Sequence, residues 1–353
     1  MLGLSLRNAA APTLRVFSTS SVTANAAAAA PKVPVALIAK LRKTHPVPMS
    51  QAREALEKSN LDVDAAIAYL TSATSASALK KADKVASRTT DEGTIAVSLL
   101  GGRRVSIVQL ACETDFVARN DVFLSAARGI AETAAFLDVP SDTPDVPLPA
   151  GADPIQTFPV DALLSAPLIS LPEGGAQPAA DEAKTVKQVL LASLAQTSEN
   201  LKLVRAASFA APFPGSPAVR FVPGAYTHGG AGTTGKVGGV VVLRVESSSD
   251  KPISTLVALP AGEELDKKLQ ALARSLARQV VGFPTKAVSP GDGVAEEEAL
   301  LTQQAMMLGS DKPVADVVAD FGKENGVNVE VVSIRRWSTE DELAPPAETK
   351  TEA

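Results

Sequence analysis

The sequence predicts an α+β protein in which helices and strands occur in separate clusters. Apolar residues recur at helical spacing through residues 35–70 and alternate as in strands at 95–110. Three further strand-like runs occupy residues 201–245 before helical patterns return. Such clusters, without a regular strand–helix–strand alternation, favour α+β over a doubly wound parallel sheet.

The composition excludes several classes of protein. The chain has 353 residues, a formal net charge of −5, one cysteine and two histidines. One cysteine cannot form an internal disulfide framework or a cysteine-rich zinc site. The chain contains no unbroken apolar run of 18 residues, so no membrane span is expected. An acidic chain with one Trp and two Tyr is also a poor candidate for a nucleic-acid-binding protein.

Residues 1–30 resemble a mitochondrial transit peptide. They contain Arg7 and Arg15, no acidic residue and many Ala, Ser and Thr, which is the composition of such peptides. The Arg-Val-Phe-Ser run at 15–18 resembles a matrix-processing site, which predicts cleavage near Phe17 or Ser18 and a location in the mitochondrial matrix. A disordered alanine-rich tail is the alternative interpretation.

Residues 31–72 are predicted to form a compact three-helix domain. The three helical segments are Val35–Lys43, Ser50–Ser59 and Ala65–Leu70. Two prolines within Thr44–Pro48 are expected to end the first helix and separate it from the second. Asp62 is a candidate N-cap for the third helix, and the Ser- and Ala-rich residues 71–81 indicate a helical linker.

A first α+β subdomain is predicted at residues 73–138. Alternating apolar residues at 95–99, a Gly-Gly pair and the apolar run Val105–Leu110 together predict a β-hairpin. A helix is expected at Asn120–Leu137, capped by its first or second residue. Residues 139–180 then change character, because nine prolines lie between Pro140 and Pro178, which predicts a long loop or a disordered insert.

A second α+β subdomain is predicted at residues 181–342, followed by a flexible tail at 343–353. Its predicted strands are Leu201–Phe209, Ala218–Tyr226, Val237–Val245, Phe283–Val288 and Val327–Trp337. Its predicted helices are Asp181–Thr197, Glu264–Val280, Val294–Met307 and Val314–Asn325. Both subdomains are expected to contain antiparallel sheets.

Two motifs indicate enzyme or nucleotide chemistry only weakly. Gly230–Lys236 fits most of a phosphate-binding loop, but Val237 follows the lysine where Ser or Thr is needed to hold Mg²⁺. A flexible hairpin is the better interpretation. Cys112 and His228 could act as nucleophile and base, but Cys112 ends an apolar strand, where a buried thiol is the usual state.

The connection between the first hairpin and the following helix is unusual. Asp115 and Phe116 place a charge and a large apolar ring side by side at this connection. In the simplest structural interpretation, Phe116 packs on the following helix as a hydrophobic staple and Asp115 caps that helix.

The run Cys-Glu-Thr-Asp-Phe-Val-Ala-Arg-Asn-Asp at 112–121 closely resembles the signature of the elongation factor Ts family. Members of that family are guanine-nucleotide exchange factors for the translation GTPase elongation factor Tu. Supporting similarities lie at Glu199–Arg205, Tyr226–Gly229, Gly238–Val242, Leu300–Gln303 and Val327–Trp337. The resemblance covers about residues 33–342, and Leu41–Leu70 resembles the family's three-helix, ubiquitin-associated-like domain, which assigns that domain to residues 31–72.

The resemblance implies a surface that binds the GTPase at three places. At the connection it implies Thr114, Asp115, Phe116, Val117, Arg119 and Asn120; at the hairpin, His228 and Gly229; in the N-terminal domain, Arg42, Val47 and Met49. By similarity, the Phe116 ring inserts near the switch II region of the partner, beside Asp115, and disturbs its Mg²⁺ site. The hairpin presses on another part of that GTPase, and the N-terminal domain holds it from the nucleotide-base side.

The resemblance also implies what the protein does not carry. The partner, mitochondrial elongation factor Tu, holds GDP or GTP and Mg²⁺, so no cofactor, metal or covalent active site is expected here, and no direct contact with nucleic acid. The sequence departs from the family in the Pro-rich insert, the longer Gly-rich hairpin and the loop at 44–49. The alternative function is a non-exchanging mitochondrial adaptor that binds a protein partner through its three-helix domain.

Overall fold

The computed structural model describes residues 33–44, 49–140, 152–169, 184–212, 215–258, 260–291 and 293–342. The chain divides into two compact units, Met1–Thr71 and Ser72–Ala353. The predicted transit peptide at 1–30 and the predicted tail at 343–353 lie outside the described residues.

The first unit is built from helices that share one small apolar core. The helices are α1 (Val35–Thr44), α2 (Met49–Lys58) and α3 (Val63–Val85), the last of which continues into the second unit. Their buried side chains are Ile38, Leu41, Ala52, Ala55, Leu56, Ala66 and Leu70. Asp62 Oδ1 accepts hydrogen bonds from the backbone N–H of Asp64 at 2.8 Å and of Ala65 at 3.1 Å, so the predicted N-cap is confirmed.

The second unit contains two antiparallel sheets. The strands are β1 (Glu92–Leu100), β2 (Arg104–Cys112), β3 (Gln156–Phe158), β4 (Lys202–Ala210), β5 (Val219–His228), β6 (Thr234–Gly235), β7 (Val237–Ser247) and β8 (Val327–Ser338). The first sheet has the order β3-β4-β2-β1-β6 and the second has the order β5-β7-β8. Gly101 and Gly102 make the predicted β1–β2 turn with φ of 57° and 62°, which glycine adopts without steric cost.

Helices cover the outer faces of both sheets. They are α4 (Asp115–Ala118), α5 (Asp121–Phe136), α6 (Val160–Ser165), α7 (Val186–Thr197), α8 (Ile253–Ala258), α9 (Pro260–Gly282) and α10 (Val314–Asn325), with short 3₁₀ turns at Glu296–Glu298 and Met306–Leu308. The predicted α+β class with antiparallel sheets is therefore confirmed.

The second unit has four layers, in the order helix, sheet, sheet, helix. The second unit has three apolar cores between these layers. Successive side chains of β1 point alternately into two of these cores, because side chains of a strand alternate between its two faces. Ala96 packs with α5 and α7 in the first core, whereas Ile95 and Val97 pack against Val240 and Val242 of β7 in the second core, between the sheets. The third core joins the other face of the second sheet to α9 and α10.

The prediction of a loop or disordered insert at 139–180 is wrong for residues 152–169. This stretch contains β3, which pairs with β4, and α6. Ile155, Phe158 and Leu163 are buried in the cores of the second unit. The apolar side chains between the prolines therefore pack as part of the fold, because a proline next to a strand end does not prevent an edge strand.

Two predicted elements of the C-terminal region are also wrong. Val294–Met307 is not one helix but contains two 3₁₀ turns, because its Gln303 and backbone groups bond to the segment before it and to α9. Phe283–Val288 forms only an isolated bridge, from Ala287 to Ala299. Helical periodicity alone did not reveal these tertiary hydrogen bonds.

The sheets do not follow the predicted subdomain boundary. Strand β4 comes from the predicted subdomain at 181–342, yet it pairs with β2 from the predicted subdomain at 73–138. The division of the core into those two subdomains remains a prediction, but the first sheet takes strands from both of them.

Helix α9 approaches the second sheet closely because β5 and β7 carry glycines beneath it. A Cβ atom on Gly224 would lie 2.4 Å from the backbone C and O of Ala273, and one on Gly239 would lie 2.7 Å from a methyl group of Val281. Backbone atoms cannot move aside as a flexible side chain can, so the close packing at Gly224 requires glycine.

We expect Gly224→Ala to reduce the free energy of unfolding by about 2–3 kcal/mol, because the added methyl group overpacks the contact with α9. Urea unfolding of the full chain, monitored by circular dichroism, measures this change in free energy. Gly291→Ala is the matched control, since a Cβ there would meet no atom of the described residues within 4 Å, its chain neighbours apart. Equal stability of the two variants would contradict the close packing.

Candidate functional site

The predicted binding residues at the end of β2 form a short, well-anchored turn. We call Thr114–Asn120 the wedge segment. Thr114 is the N-cap of the single-turn helix α4, and its hydroxyl accepts a hydrogen bond from the Val117 backbone N–H at 3.4 Å. Asn120 Oδ1 accepts from the Val122 N–H at 2.8 Å and caps α5, as predicted. The wedge segment is therefore fixed at both ends by capping bonds.

Phe116 projects from this turn into solvent. Its side chain is 84% exposed, whereas the next residues, Val117 and Ala118, are 8% and 6% exposed and belong to the first core. Neighbouring side chains of a helical turn point about 100° apart, so anchoring Val117 and Ala118 inward directs Phe116 outward. The alternative interpretation, in which Phe116 packs on α5, is wrong.

Asp115 and Arg119 flank the exposed ring. Asp115 Oδ2 lies 3.3 Å from Arg119 Nη2, and the two side chains are 45% and 79% exposed. The expectation that Asp115 caps the following helix is wrong, since Asn120 is the N-cap of α5 and Thr114 is the N-cap of α4. An exposed ion pair contributes little to stability, so both side chains can exchange partners at low cost.

Two carboxylates hold the start of the wedge segment against the segment before β4. Glu199 accepts hydrogen bonds from the Thr114 hydroxyl at 2.6 Å and from the Thr114 N–H at 3.0 Å. In the other direction, Glu113 accepts from the Asn200 N–H at 2.6 Å and lies 3.4 Å from Arg88. We call this reciprocal arrangement the carboxylate clasp.

The site prediction did not include Glu113, Glu199 or Asn200. Glu199 and Asn200 do belong to the run that resembles the family at 199–205. Because the runs at 112–121 and 199–205 both resemble the family, the sequence could have indicated that Glu113 and Glu199 lie near each other. The contact itself depends on the pairing of β2 with β4.

Cys112 immediately precedes Glu113 and the wedge segment and is a buried thiol. It is completely buried, and its Sγ lies 3.2 Å from the Thr114 carbonyl oxygen, to which it donates. Burial, reinforced by the nearby Glu199 carboxylate, raises the pKa of the thiol from 9.0 to about 12. A nucleophilic cysteine needs a lowered pKa and access to solvent, so the structure does not support Cys112 as a nucleophile.

The predicted hairpin residues His228 and Gly229 are exposed at the end of β5. Gly229 has φ of 77°, which favours glycine at this turn. The glycine-rich run after it returns as β6 and then β7. A phosphate-binding loop opens a helix, so the interpretation of this run as a hairpin is confirmed.

Strand β1 brings the hairpin and the wedge segment to the same end of the second unit. Glu92, the first residue of β1, pairs in register with Cys112 and forms an ion pair with Lys236, which follows β6. Thr94 Oγ1 also donates to the Gly235 carbonyl at 3.1 Å. Two of the three predicted binding regions thus share one end of a rigid core.

The third predicted region lies in the first unit. Arg42 is exposed in the last turn of α1, and Met49, at the start of α2, is 51% exposed. Val47 lies outside the described residues. The roles of Arg42, Val47 and Met49 remain predictions.

The described residues also bear on membrane insertion and metal binding. None of the helices described is long and apolar enough to cross a membrane. Within the same residues, no group of three or more His, Cys, Asp and Glu side chains is arranged to hold a metal ion. The expectation that the chain carries no cofactor of its own remains a prediction.

Comparisons with known proteins agree with the motif at 112–121. Residues 113–313 match the family model described as Elongation factor TS. A protein of Cryptococcus neoformans named "Elongation factor Ts, mitochondrial" is 56% identical over 348 residues, which cover 95% of this chain and 92% of the relative. A protein of the same name from Coprinopsis cinerea is 33% identical over 354 residues, covering 94% of this chain and 96% of that relative.

We expect Glu199→Gln to loosen the wedge segment. Glutamine offers one acceptor oxygen where Thr114 requires two, so the free energy of unfolding should fall by about 1–2 kcal/mol. Amide hydrogen exchange at Thr114 and Val117 should also accelerate. Glu263→Gln is the control, since Glu263 is 77% exposed; an equal response of the two variants would exclude the carboxylate clasp.

We expect the Cys112 thiol of the native protein to resist 5,5′-dithiobis(2-nitrobenzoic acid) at pH 8 and to react fully in guanidinium chloride. Between pH 9 and about 12, the unfolded thiol ionises while the folded thiol stays protonated. The wild type should therefore lose up to about 1.4 kcal/mol of stability per pH unit relative to Cys112→Ala as the pH rises. Rapid labelling of the native protein would contradict the burial of this thiol.

Proposed function

This chain belongs to the elongation factor Ts family of translation elongation factors, and we propose that it is the guanine-nucleotide exchange factor for mitochondrial elongation factor Tu. The observation that carries the proposal is Phe116, which is 84% exposed on a turn whose next two residues, Val117 and Ala118, are buried. A large aromatic ring held in water by a rigid support resembles the aromatic anchors that dominate protein interfaces.

In the proposed mechanism, Phe116 inserts its ring between helices of the GTPase near its switch II region. Burial of one aromatic ring of this size contributes about 1.5–3 kcal/mol. The ring's support is already ordered by the caps at Thr114 and Asn120, so little conformational entropy is lost on binding. The binding energy is therefore available to displace the partner's own helices.

Asp115 and Arg119 would supply the polar contacts around the ring. Their ion pair is exposed, and breaking it to bind groups of the partner costs little. Movement of the partner's helices would disturb its Mg²⁺ site. Mg²⁺ offsets the charge of the nucleotide phosphates, so its loss weakens the binding of GDP.

The exchange factor and GDP would each weaken the binding of the other to the GTPase. Linkage makes this effect equal in both directions, and a coupling of about 4 kcal/mol corresponds to a thousandfold change in each affinity. No covalent bond is made or broken, so the protein acts without a covalent active site and needs no cofactor of its own. The nucleotide and Mg²⁺ belong to the partner.

The proposed location is the mitochondrial matrix. The relatives with 56% and 33% identity are named as mitochondrial proteins, and the arginine-containing, acid-free residues 1–30 have the composition of a transit peptide. The proposal includes no direct contact with nucleic acid.

We expect the full-length protein to accelerate the release of a fluorescent GDP analogue from mitochondrial elongation factor Tu, and Phe116→Ala to slow that release by about 10- to 100-fold, the loss typical of a central aromatic anchor. The variant's unfolding midpoint should not change, because the side chain is exposed. Phe136→Ala is the matched control, since Phe136 is also exposed, at 47%, but lies at the end of α5.

Three further outcomes test the mechanism and the alternative function. Asp115→Ala and His228→Ala should slow release by smaller factors than Phe116→Ala. If the wild type binds the GTPase but does not accelerate release, the exchange function is excluded and the adaptor function is favoured. Equal rates for Phe116→Ala and Phe136→Ala would remove Phe116 from the mechanism.

A further inference from the structure

Arg205 of β4 joins the two sheets of the second unit at the end that carries the wedge segment. Its guanidinium carbon lies 4.4 Å from the centroid of the Trp337 ring, which belongs to β8. Its Nη2 donates a hydrogen bond to Asp341 Oδ2 at 2.7 Å, and its Nε donates to Gln109 Oε1 at 2.7 Å. One side chain of the first sheet therefore holds both a neighbouring strand of its own sheet and the end of β8.

This set of contacts is specific to arginine. Gln109 is buried, and the side chains of Arg205 and Asp341 are partly buried, so their hydrogen bonds are shielded from water and strengthened. A guanidinium group is planar: it donates hydrogen bonds in its plane while its face stacks on an aromatic ring. The ammonium group of a lysine is a compact point charge and cannot make all of these contacts at once.

The turn after β8 is folded around the same carboxylate. Asp341 Oδ2 also accepts a hydrogen bond from the Ser338 backbone N–H at 2.8 Å. Ser338 pairs in register with Val237 of β7, and Val237 pairs with His228 of β5. The end of β8 that Arg205 holds is thus joined through β7 to the exposed hairpin.

Two attachments between the sheets lie in one row across the first sheet. Ile95 of β1 pairs in register with Gly235 of the hairpin. On its other side Ile95 pairs with Gln109, which in turn pairs with Arg205. Three strand spacings of about 4.8 Å place the two attachments about 14 Å apart, with β2 between them. A single attachment would leave the second sheet able to rock about it, and a second one on the other side of β2 prevents this rotation.

We propose that Arg205 is a positioning residue for nucleotide exchange. This inference rests on the proposed exchange function, in which Phe116 and His228 act on the GTPase together. Apolar packing between the sheets resists their separation more than it resists small rotations, because the hydrophobic effect is not directional. Arg205 supplies a directional contact. It fixes the sheet that carries His228 relative to the strand that leads to Phe116, so that a load on one contact is transmitted to the other.

The first test measures the contact itself, without the GTPase. Trp337 is the only tryptophan of the chain, so the fluorescence of the full-length protein reports its surroundings. We expect Arg205→Ala to shift the emission to longer wavelength and to raise its quenching by acrylamide, because the guanidinium group no longer covers the ring. Arg244→Ala is the matched control, since Arg244 of β7 forms its ion pairs with Glu246 and Glu330 within the second sheet.

The second test measures exchange. We expect Arg205→Ala to lower the maximal rate of GDP release from mitochondrial elongation factor Tu by about tenfold, a typical coupling between contacting residues. The concentration of exchange factor that gives half the maximal rate should stay near the wild-type value, because the contacting side chains are still present. Arg205→Lys should recover part of the rate, because an ammonium group can pair with Asp341 but cannot also stack on Trp337.

A double-mutant cycle separates positioning from stability. In the wild-type background, Phe116→Ala and His228→Ala together should slow release by about tenfold less than the product of their separate effects, because each contact depends on the other. In the Arg205→Ala background the two effects should multiply to within about twofold, because the contacts then act independently. A residue that only stabilises the fold would leave this cycle unchanged.

Asp341→Asn tests the same link if Arg205→Ala does not fold. It keeps Arg205, removes the charge of its acceptor, and should lower the maximal rate by a smaller factor. If the wild type accelerates release, then equal maximal rates or equal Trp337 fluorescence for Arg205→Ala and Arg244→Ala, or an unchanged double-mutant cycle, would overturn the positioning role alone. No acceleration by the wild type would overturn the exchange function and this role together, and Trp337 fluorescence would still show whether Arg205 holds β8.

Discussion

The exposure of Phe116, the central residue of the proposed binding surface, depends on the carboxylate clasp. An exposed phenylalanine gains nothing from water and would fold back onto apolar surface if its backbone were free. Glu199 holds Thr114 by two hydrogen bonds, and Glu113 holds Asn200 by one. These bonds fix the turn at the point where β2 ends, so Val117 can be buried while Phe116 cannot.

The contact between the two sheets determines that the exposed hairpin lies at the same end of the second unit as Phe116. A Cβ on Gly238 would lie 2.4 Å from a methyl group of Ile95, so β7 approaches β1 as closely as glycine allows. The ion pair of Glu92 with Lys236 lies at the same end of these strands. The exposed hairpin is held beside the wedge segment by the packing of the core and by its own bonds to β1.

The sequence predicted the strands, caps and helix ends that depend on local pattern. It did not predict the features that depend on hydrogen bonds between residues distant in sequence. The alternation in β1 and β2, the cap at Asn120 and the break after α1 follow from short-range rules. The proposal that Phe116 is a binding residue rests on a resemblance, because the local pattern also allowed a ring that packs on the following helix as a hydrophobic staple. Glu199 was missed since its partner lies 85 residues away, and the order of residues 152–169 depends on pairing with β4.

Phe116 alone does not account for the proposed coupling. Burial of its ring contributes about 1.5–3 kcal/mol, whereas a thousandfold effect on GDP affinity requires about 4 kcal/mol. At least one other contact must therefore bind the GTPase more tightly when GDP is absent. We propose that His228 makes this contact within the same rigid unit, because β1 ties its hairpin to the end that carries Phe116. Two contacts on one rigid body can push on the partner together, and neither can relax without moving the other.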